Sequence, residues 1–214
     1  CRATGLLAAA AEHSVVIFAP SSEDDDTTQW QRHSELDHGE PVTCVAWPAP
    51  QPGRPPMLWV AGLTIALCSF STSAGGWRVT WEREQAQPVR HMAASVHGAL
   101  LATAGVHDRL VKVWHPAAAA MASKDAYTRQ KALSGPYEFC VLRHPYPITS
   151  LDWRPRERGA PLHTAHSDPI TEDILLTLDL EGIPRLWRMA RPPEPPPHWM
   201  YLCATLTQDP AGGI

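Results

Sequence analysis

The stretch that decides the fold reads LATAGVHDRLVKVW and runs from Leu101 to Trp114. It contains two apolar segments, LATAG and RLVKVW, and a short polar turn around Asp108 separates them. Short segments rich in apolar and β-branched residues with a turn between them are typical of paired strands. The pattern therefore predicts a β-hairpin, and not a helix, over residues 98–115.

The same hairpin recurs along the chain. Segments that end in an aromatic residue read SVVIF at 14–18, IALCSF at 65–70 and IPRLW at 183–187. Each follows an apolar strand and a short turn. A fixed supersecondary unit that repeats is the mark of a repeat architecture.

A second element recurs at a constant spacing. Val42 and Trp47 follow His38 at the same offsets at which Ile148 and Trp153 follow His144, and a weaker copy covers 88–95. Combined with a further outer strand, the hairpins give units of four antiparallel strands, which describes the blades of a β-propeller of the WD-repeat type. We predict an all-β, incomplete propeller of about three and a half blades.

The predicted blades cover 1–35, which lacks its first strand, 36–84, 85–142 and 143–214. Their spacing exceeds the roughly 40 to 45 residues of an ordinary blade. We assign the excess to loop insertions, mainly near 116–136 and 154–173, because lengthening a loop costs little free energy.

The polar residues of the repeat have a structural interpretation. In a WD blade, a buried His, a Ser or Thr, an Asp of the hairpin turn and a Trp hydrogen-bond to one another, since buried polar groups need partners. The predicted structural blade network consists of His38, Trp47, Asp108, Trp114, His144, Trp153 and Trp187. At the position of Asp108, six residues before the aromatic, the other units carry Glu12, Thr64 and Glu181.

One part of the sequence resembles a known family. The segments LATAGVHDRLVKVW at 101–114 and FCVLRHPYPITSLDWRP at 139–155 resemble the amino-terminal propeller of the large WD-repeat subunit of the RAVE complex, the regulator of the ATPase of vacuoles and endosomes. Its animal relatives are the DmX-like proteins, or rabconnectins. The flanks VVIFAP at 15–20, VTCVAW at 42–47 and ILLTLDLEGIPRLW at 174–187 are similar as well.

This resemblance implies a protein-interaction scaffold that promotes assembly of the peripheral sector of the V-ATPase onto its membrane sector. The implied partners are peripheral-sector subunits and other RAVE subunits, and the implied location is cytoplasmic, peripheral on vacuolar or endosomal membranes. The family brings no catalytic residues. Two alternatives stay open: another WD-repeat scaffold, such as a ubiquitin-ligase substrate receptor or a vesicle-coat component, and an enzyme built on a propeller.

Composition disfavours several other functions. The net charge of -4 and the scattered basic residues do not form the positive patch that nucleic-acid binding or attachment to an acidic membrane needs. No apolar run is long enough to insert into a bilayer. Five cysteines without a C-x-x-C pair indicate a reducing compartment. The first residue, Cys1, suggests an excerpt of a longer chain.

Candidate catalytic and metal-binding motifs are weak. His163 and His166 form a lone pair of ligands, whereas zinc needs four. The acidic run 24–26 has neither the Gly nor the terminal Glu of a calcium loop. Nucleotide-binding and nucleophile-elbow motifs are missing. We expect no cofactor, no metal and no catalytic residue. The run RPPEPPPHW at 191–199 is expected to be a stiff exposed loop or a polyproline docking motif.

Overall fold

The computed structural model describes residues 5–21, 29–48, 50, 53–95, 100–117, 136–154, 173–189 and 200–206. In these residues the chain forms four antiparallel sheets and no helix. Sheet 1 contains β1 (Leu7–Ala11), β2 (Ser14–Pro20) and β3 (Trp30–Asp37). Sheet 2 contains β4 (Cys44–Ala46), β5 (Met57–Ala61), β6 (Thr64–Ser71) and β7 (Gly76–Glu84).

Sheets 3 and 4 repeat the arrangement of sheet 2. Sheet 3 contains β8 (Val89–Ala94), β9 (Leu101–Gly105), β10 (Leu110–Pro116) and β11 (Tyr137–Arg143). Sheet 4 contains β12 (Ile148–Trp153), β13 (Ile174–Asp179), β14 (Pro184–Met189) and β15 (Met200–Thr205). Neighbours along the chain are neighbours in each sheet, so every sheet is an up-and-down meander.

These sheets confirm the all-β fold class. The predicted hairpin over 98–115 is present as β9 and β10, in which Leu101 pairs with Trp114 and Thr103 with Lys112. The outer strand of sheet 1 extends two residues beyond 35, the predicted end of the first blade, because its pairing with β2 continues until Asp37 lies opposite Ser14. The linkers between sheets therefore begin at His38, Gln85 and His144.

The second strands of sheets 2 and 3 are buried on both faces. All five residues of β5 and all five of β9 are buried. An antiparallel sheet that is wet on one side shows alternating apolar and polar residues, whereas a strand covered on both sides does not need them. The sequences MLWVA and LATAG lack alternation for this reason.

The cores lie between consecutive sheets. One cluster joins sheets 1 and 2 around Ile17 and Val60, a second joins sheets 2 and 3 around Trp59 and Trp114, and a third joins sheets 3 and 4. The third cluster brings the small residues of sheet 3 against Trp153, Trp187 and Met200 of sheet 4. Each sheet is thus stabilised chiefly by its neighbours, as expected for a repeat fold.

Several predicted features lie outside the described residues. They are the greater part of the insertions at 116–136 and 154–173, the His163 and His166 pair, the acidic run 24–26 and the proline-rich run 191–199.

Candidate functional site

The linker between each pair of sheets is held by two hydrogen bonds to the sheet that it leaves. At the first junction, the amide of His38 donates to His13 O at 2.9 Å, and the amide of Val42 donates to Glu12 O at 2.8 Å. At the last junction, His144 N donates to Arg109 O and Ile148 N to Asp108 O, both at 2.9 Å. We call this pair of bonds the linker clamp.

The middle junction has the same clamp with a different first residue. Gln85 N donates to Leu63 O at 2.7 Å and Val89 N to Gly62 O at 2.9 Å. The four-residue spacing seen in the sequence is therefore the spacing of the two clamp donors. Gln85 takes the place that a histidine holds at the other two junctions, which explains why the middle copy looked weaker.

A proline precedes the second clamp donor at all three junctions, and its carbonyl faces the hairpin turn of the next sheet. Pro147 O accepts a hydrogen bond from Leu180 N at 2.8 Å. Pro41 O lies so close to Gly62 that a Cβ built on this glycine would be only 2.1 Å away. The linker is thus held between two turns. A glycine is needed at position 62 because Pro41 O approaches the backbone so closely there.

Sheet 4 contains a buried polar relay that begins at the linker. His144 Nε2 lies 2.8 Å from Thr177 Oγ1, and Trp187 Nε1 donates to the same hydroxyl at 2.9 Å. His144 comes from the linker, Thr177 from β13 and Trp187 from β14, so the relay fixes the linker to both central strands. It brings two of the predicted network residues, His144 and Trp187, together.

An acid and a base are buried beside this relay. Asp179 Oδ2 accepts a hydrogen bond from Arg185 Nη1, and Asp179 Oδ1 accepts one from Ile183 N at 3.1 Å. Both charged side chains are buried, which is tolerated because they form an ion pair. Burial alone would raise the pKa of Asp179, but the hydrogen bonds from Arg185 and Ile183 hold the pKa below its ordinary value.

The pKa of His144 is shifted in the direction that keeps the ring neutral. Burial lowers this pKa most, and the nearby Arg185 guanidinium lowers it further, while a hydrogen bond with the backbone of Leu142 and the Asp179 carboxylate act in the opposite direction. A neutral imidazole suits a buried hydrogen bond to a hydroxyl.

Sheet 3 contains a shorter version of the relay. Trp114 Nε1 donates to Thr103 Oγ1 at 2.9 Å, and Lys112 Nζ donates to Gln85 Oε1 at 2.7 Å. Asp108 does not join them: its Oδ1 accepts from Leu110 N at 2.9 Å and so closes the turn locally.

Sheets 1 and 2 have apolar residues where the relay would be. The register places Val60 and Cys68 of sheet 2 at the positions of Thr103 and Trp114. The aromatic Phe70 lies two residues beyond that position. His38 Nε2 is buried and has no hydrogen-bond partner in the part of the chain that the structure describes.

The two remaining network residues serve the junctions between sheets. Trp153 is buried at the end of β12, and its Nε1 donates to Ala93 O of sheet 3 at 2.9 Å. Trp47 is only partly buried. It packs against Trp77 of the same sheet, with ring centroids 6.1 Å apart, and both lie against the core between sheets 1 and 2.

Sequence reasoning missed the residues that complete the relays. Thr177 precedes its tryptophan by ten residues and Thr103 by eleven, because the turn of sheet 3 is one residue longer, and this difference hides the repeat. The buried acid of sheet 4 is Asp179, whereas Glu181, at the position expected for the acid, is exposed. In both sheets the threonine pairs across the hairpin with the residue two positions before the tryptophan: Thr103 pairs with Lys112, and Thr177 pairs with Arg185. A search for a threonine in the strand that precedes each hairpin turn, ten or eleven residues before a tryptophan, would have found both.

On the surface that the described residues form, an acidic cleft lies between sheets 1 and 2. Its volume is about 460 Å³, and its lining includes four carboxylates against a single arginine. The lining residues are Asp37, His38, Glu40, Thr64, Val79, Glu82, Arg83 and Glu84. Among the described residues there is no group of three or more metal-ligating side chains, and no helix that could span a membrane.

The geometry defines the class of protein: four consecutive meander sheets, joined face to face through apolar cores, are blades of a WD-repeat β-propeller. A solved structure of Sqt1 from Chaetomium thermophilum, bound to the N-terminus of the ribosomal protein L10, has this fold. It superposes with a TM-score of 0.60 over 96% of this chain and 48% of that chain, at 14% identity. A second Sqt1 structure gives a TM-score of 0.59.

The resemblance to the RAVE and DmX-like family is confirmed by sequence similarity to curated proteins. DmX-like protein 1 of Homo sapiens is 28% identical over 117 residues, which is 53% of this chain. Regulator of V-ATPase in vacuolar membrane protein 1 of Saccharomyces cerevisiae is 21% identical over 153 residues, or 70% of this chain. The matched regions make up only 4% and 10% of those proteins. No family model matches the chain.

Proposed function

We propose that this chain is part of a protein-interaction scaffold that regulates assembly of the V-ATPase. The observation that carries the proposal is the similarity to a yeast protein described as a regulator of V-ATPase, which extends over 70% of this chain. Its proposed partners are subunits of the peripheral sector and other RAVE subunits. The proposed location is the cytoplasmic side of vacuolar or endosomal membranes.

The described residues support a scaffold better than an enzyme. Several of their buried polar groups hold strands and linkers together, as the relay of His144, Thr177 and Trp187 shows. Two partly buried cysteines are poor nucleophiles, since burial raises the pKa of Cys44 and of Cys140 to about 11. WD-repeat propellers present rigid loops and turns on which partner segments can bind, and the Sqt1 complex is a solved example.

A pull-down tests the proposal. The chain, immobilised through a tag, is mixed with purified peripheral-sector subunits of the V-ATPase, and bound subunits are identified by mass spectrometry. Sqt1 from Chaetomium thermophilum is the matched control, because it has the same fold at 14% identity. We expect retention by this chain and not by Sqt1. Equal retention by both, or retention by neither, would contradict the proposal.

A further inference from the structure

Three hairpin turns each expose an aliphatic residue: Leu63 in sheet 2, Val106 in sheet 3 and Leu180 in sheet 4. Tyr146, in the linker between sheets 3 and 4, is exposed as well. All four residues are between 41% and 64% exposed. Exposed apolar residues that stand singly are normal on protein surfaces, whereas adjoining ones mark a place where a partner binds. Whether these four adjoin therefore decides their meaning.

The turn of sheet 2 adjoins the turn of sheet 3 through the linker between them. Leu63 O accepts the hydrogen bond of Gln85 N at 2.7 Å, so this linker begins against the turn that carries Leu63. Near the other end of the linker, Pro88 O lies 3.4 Å from the point that a Cβ of Gly105 would occupy. Gly105 directly precedes Val106. One short linker therefore connects the two turns that expose Leu63 and Val106.

The turn of sheet 3 adjoins the turn of sheet 4 in the same way. The linker clamp holds the next linker to the turn of sheet 3, and Pro147 O accepts the hydrogen bond of Leu180 N at 2.8 Å. Tyr146 directly precedes Pro147, so it lies on the linker between these two turns. The four exposed residues thus form one row along the same end of sheets 2, 3 and 4. We call Leu63, Val106, Tyr146 and Leu180 the turn row.

The acidic cleft adjoins the turn row at the end nearest sheet 1. Thr64, the residue after Leu63, is part of the lining of the cleft, and so is Glu84, which pairs with Thr64. The lining has four carboxylates against the single guanidinium of Arg83. His38 lines the cleft as well, and its buried Nε2 has no hydrogen-bond partner among the described residues. The cleft therefore favours a cationic group over an anionic one.

We infer that the turn row and the acidic cleft together bind an extended segment of a partner protein that carries apolar side chains and, at one end, lysine or arginine. The apolar side chains contact the turn row, and the cationic group enters the cleft, where the carboxylates offset its charge. Farther along the row the exposed charges are of both signs, as Arg109 and Glu181 show, so the strong negative charge lies at the cleft end.

Charge complementarity separates this partner from others. A nucleic acid or an acidic lipid surface does not fit the cleft, because the carboxylates repel phosphate groups. The inference goes beyond the V-ATPase proposal, since it names a surface and the chemistry of the segment that binds there, and it holds whichever protein supplies the segment.

Peptide selection tests the inference without a known partner. A phage library of random dodecapeptides is selected against the immobilised chain, and the peptides that bind are sequenced. The peptide recovered most often is synthesised with a fluorescein label, and its Kd for the native chain and for variants is measured by fluorescence anisotropy. Circular dichroism checks that each variant is folded. We expect the recovered peptides to be enriched in lysine or arginine and in large apolar residues.

Variants of the turn row are compared with variants of exposed apolar residues elsewhere. Leu63→Ser combined with Leu180→Ser is expected to weaken binding about tenfold or more, because the peptide loses its apolar contacts. Val141→Ser combined with Leu202→Ser is the matched control, since both residues are exposed on outer strands. It should change the Kd less than about twofold. If the double variant of the row does not fold, Leu180→Ser alone is measured.

The cleft has a matched pair of its own. Glu82→Gln removes one carboxylate of the lining and is expected to weaken binding about threefold or more, whereas Glu138→Gln, at an exposed glutamate of the outer strand β11, should have no effect. Recovery of no peptide, of peptides without basic residues, or equal effects of the site and control variants would overturn the inference. A pull-down that retains no V-ATPase subunit would contradict the V-ATPase proposal and leave this inference intact.

Discussion

At the scale of single residues, one hydroxyl group organises sheet 4. Thr177 Oγ1 lies within hydrogen-bond distance of both His144 Nε2 and Trp187 Nε1. Loss of this hydroxyl would leave two buried polar groups without their partner, and an unsatisfied buried group costs more than the bond itself contributes. Thr103 has only the indole of Trp114 to satisfy in sheet 3.

This difference gives the first prediction. Thr177→Val is expected to lower the free energy of unfolding by about 2 to 3 kcal/mol, and Thr103→Val by about 1 kcal/mol. Urea unfolding followed by tryptophan fluorescence measures both. Thr205→Val, at an exposed position of β15, is the control for the change of side chain. Equal losses for Thr177→Val and Thr103→Val would contradict the role of the relay.

The second prediction concerns pH. Because burial lowers the pKa of His144 below its ordinary value of 6.5, the unfolded chain binds the proton more readily than the folded chain. The contribution of the neutral ring is therefore complete above about pH 6.5 and decreases as the pH falls below it. Thermal melts between pH 7.5 and 5.5 are expected to show a decrease in Tm for the native chain.

His144→Gln is the matched variant for this experiment, because Gln85 occupies the equivalent place in sheet 3. It should reduce the dependence of Tm on pH over the same range, whereas His13→Gln, at an exposed site, should not. A pH dependence that is identical in all three proteins would assign the titration to other groups.

At the scale of elements, the hairpin turns and the linkers determine how consecutive sheets meet. Gly62 illustrates this, because a Cβ at this position would lie 2.1 Å from Pro41 O, a backbone atom that cannot move without disturbing the linker clamp. Gly76 has no heavy atom within 4 Å of the corresponding point and does not have a positive φ, so it is a matched control.

The third prediction follows from this contrast. Gly62→Ala is expected to destabilise the chain by about 2 kcal/mol or more, since overpacking against rigid backbone forces neighbouring segments to shift. Gly76→Ala should change the stability by less than about 0.5 kcal/mol. Urea unfolding again provides the measurement. Similar small effects at both glycines would show that the linker has room to move.

At the scale of the whole molecule, stability resides in the interfaces between sheets. Trp59 of β5 is fully buried and makes edge contacts with Trp81 and Tyr137, with ring centroids 5.9 and 5.1 Å away. Trp30 of β3 is 47% exposed and belongs to none of the three clusters. Substitutions at these two positions therefore compare a tryptophan in an interface between sheets with a tryptophan on the surface.

The fourth prediction is that Trp59→Ala lowers the free energy of unfolding by about 3 to 5 kcal/mol, through lost burial and the cavity that remains. Trp30→Ala is expected to cost less than about 1 kcal/mol. Circular dichroism and fluorescence should report the same unfolding midpoint for the native chain. Different unfolding midpoints for the two signals would show that the blades unfold independently.

A fifth prediction concerns residues 1–214 in isolation. Because sheet 4 leaves Leu176 39% exposed and only partly buries Leu178 and Leu186, we expect this segment to associate with a partner or with further copies of itself as its concentration rises. Light scattering measures its molar mass over a range of concentrations. A stable monomer at all concentrations would contradict this expectation.

The sequence by itself determined the strands and their repetition. Hairpins such as 101–114 are local, and their apolar segments, turn residues and terminal aromatics are neighbours in the chain, so pattern reasoning is sufficient for them. The same locality explains why the spacing from His38 to Trp47 and from His144 to Trp153 could be recognised: it reflects one linker and one strand.

Only the tertiary structure decided which residues join across strands and sheets. Asp179 and Glu181 are two residues apart and chemically alike, yet one is buried in an ion pair and the other is exposed. One extra residue in the turn of sheet 3 shifts Thr103 relative to Thr177, and Val60 replaces both in sheet 2. These choices depend on strand register and on packing against the next sheet, two non-local terms that no short stretch of sequence contains.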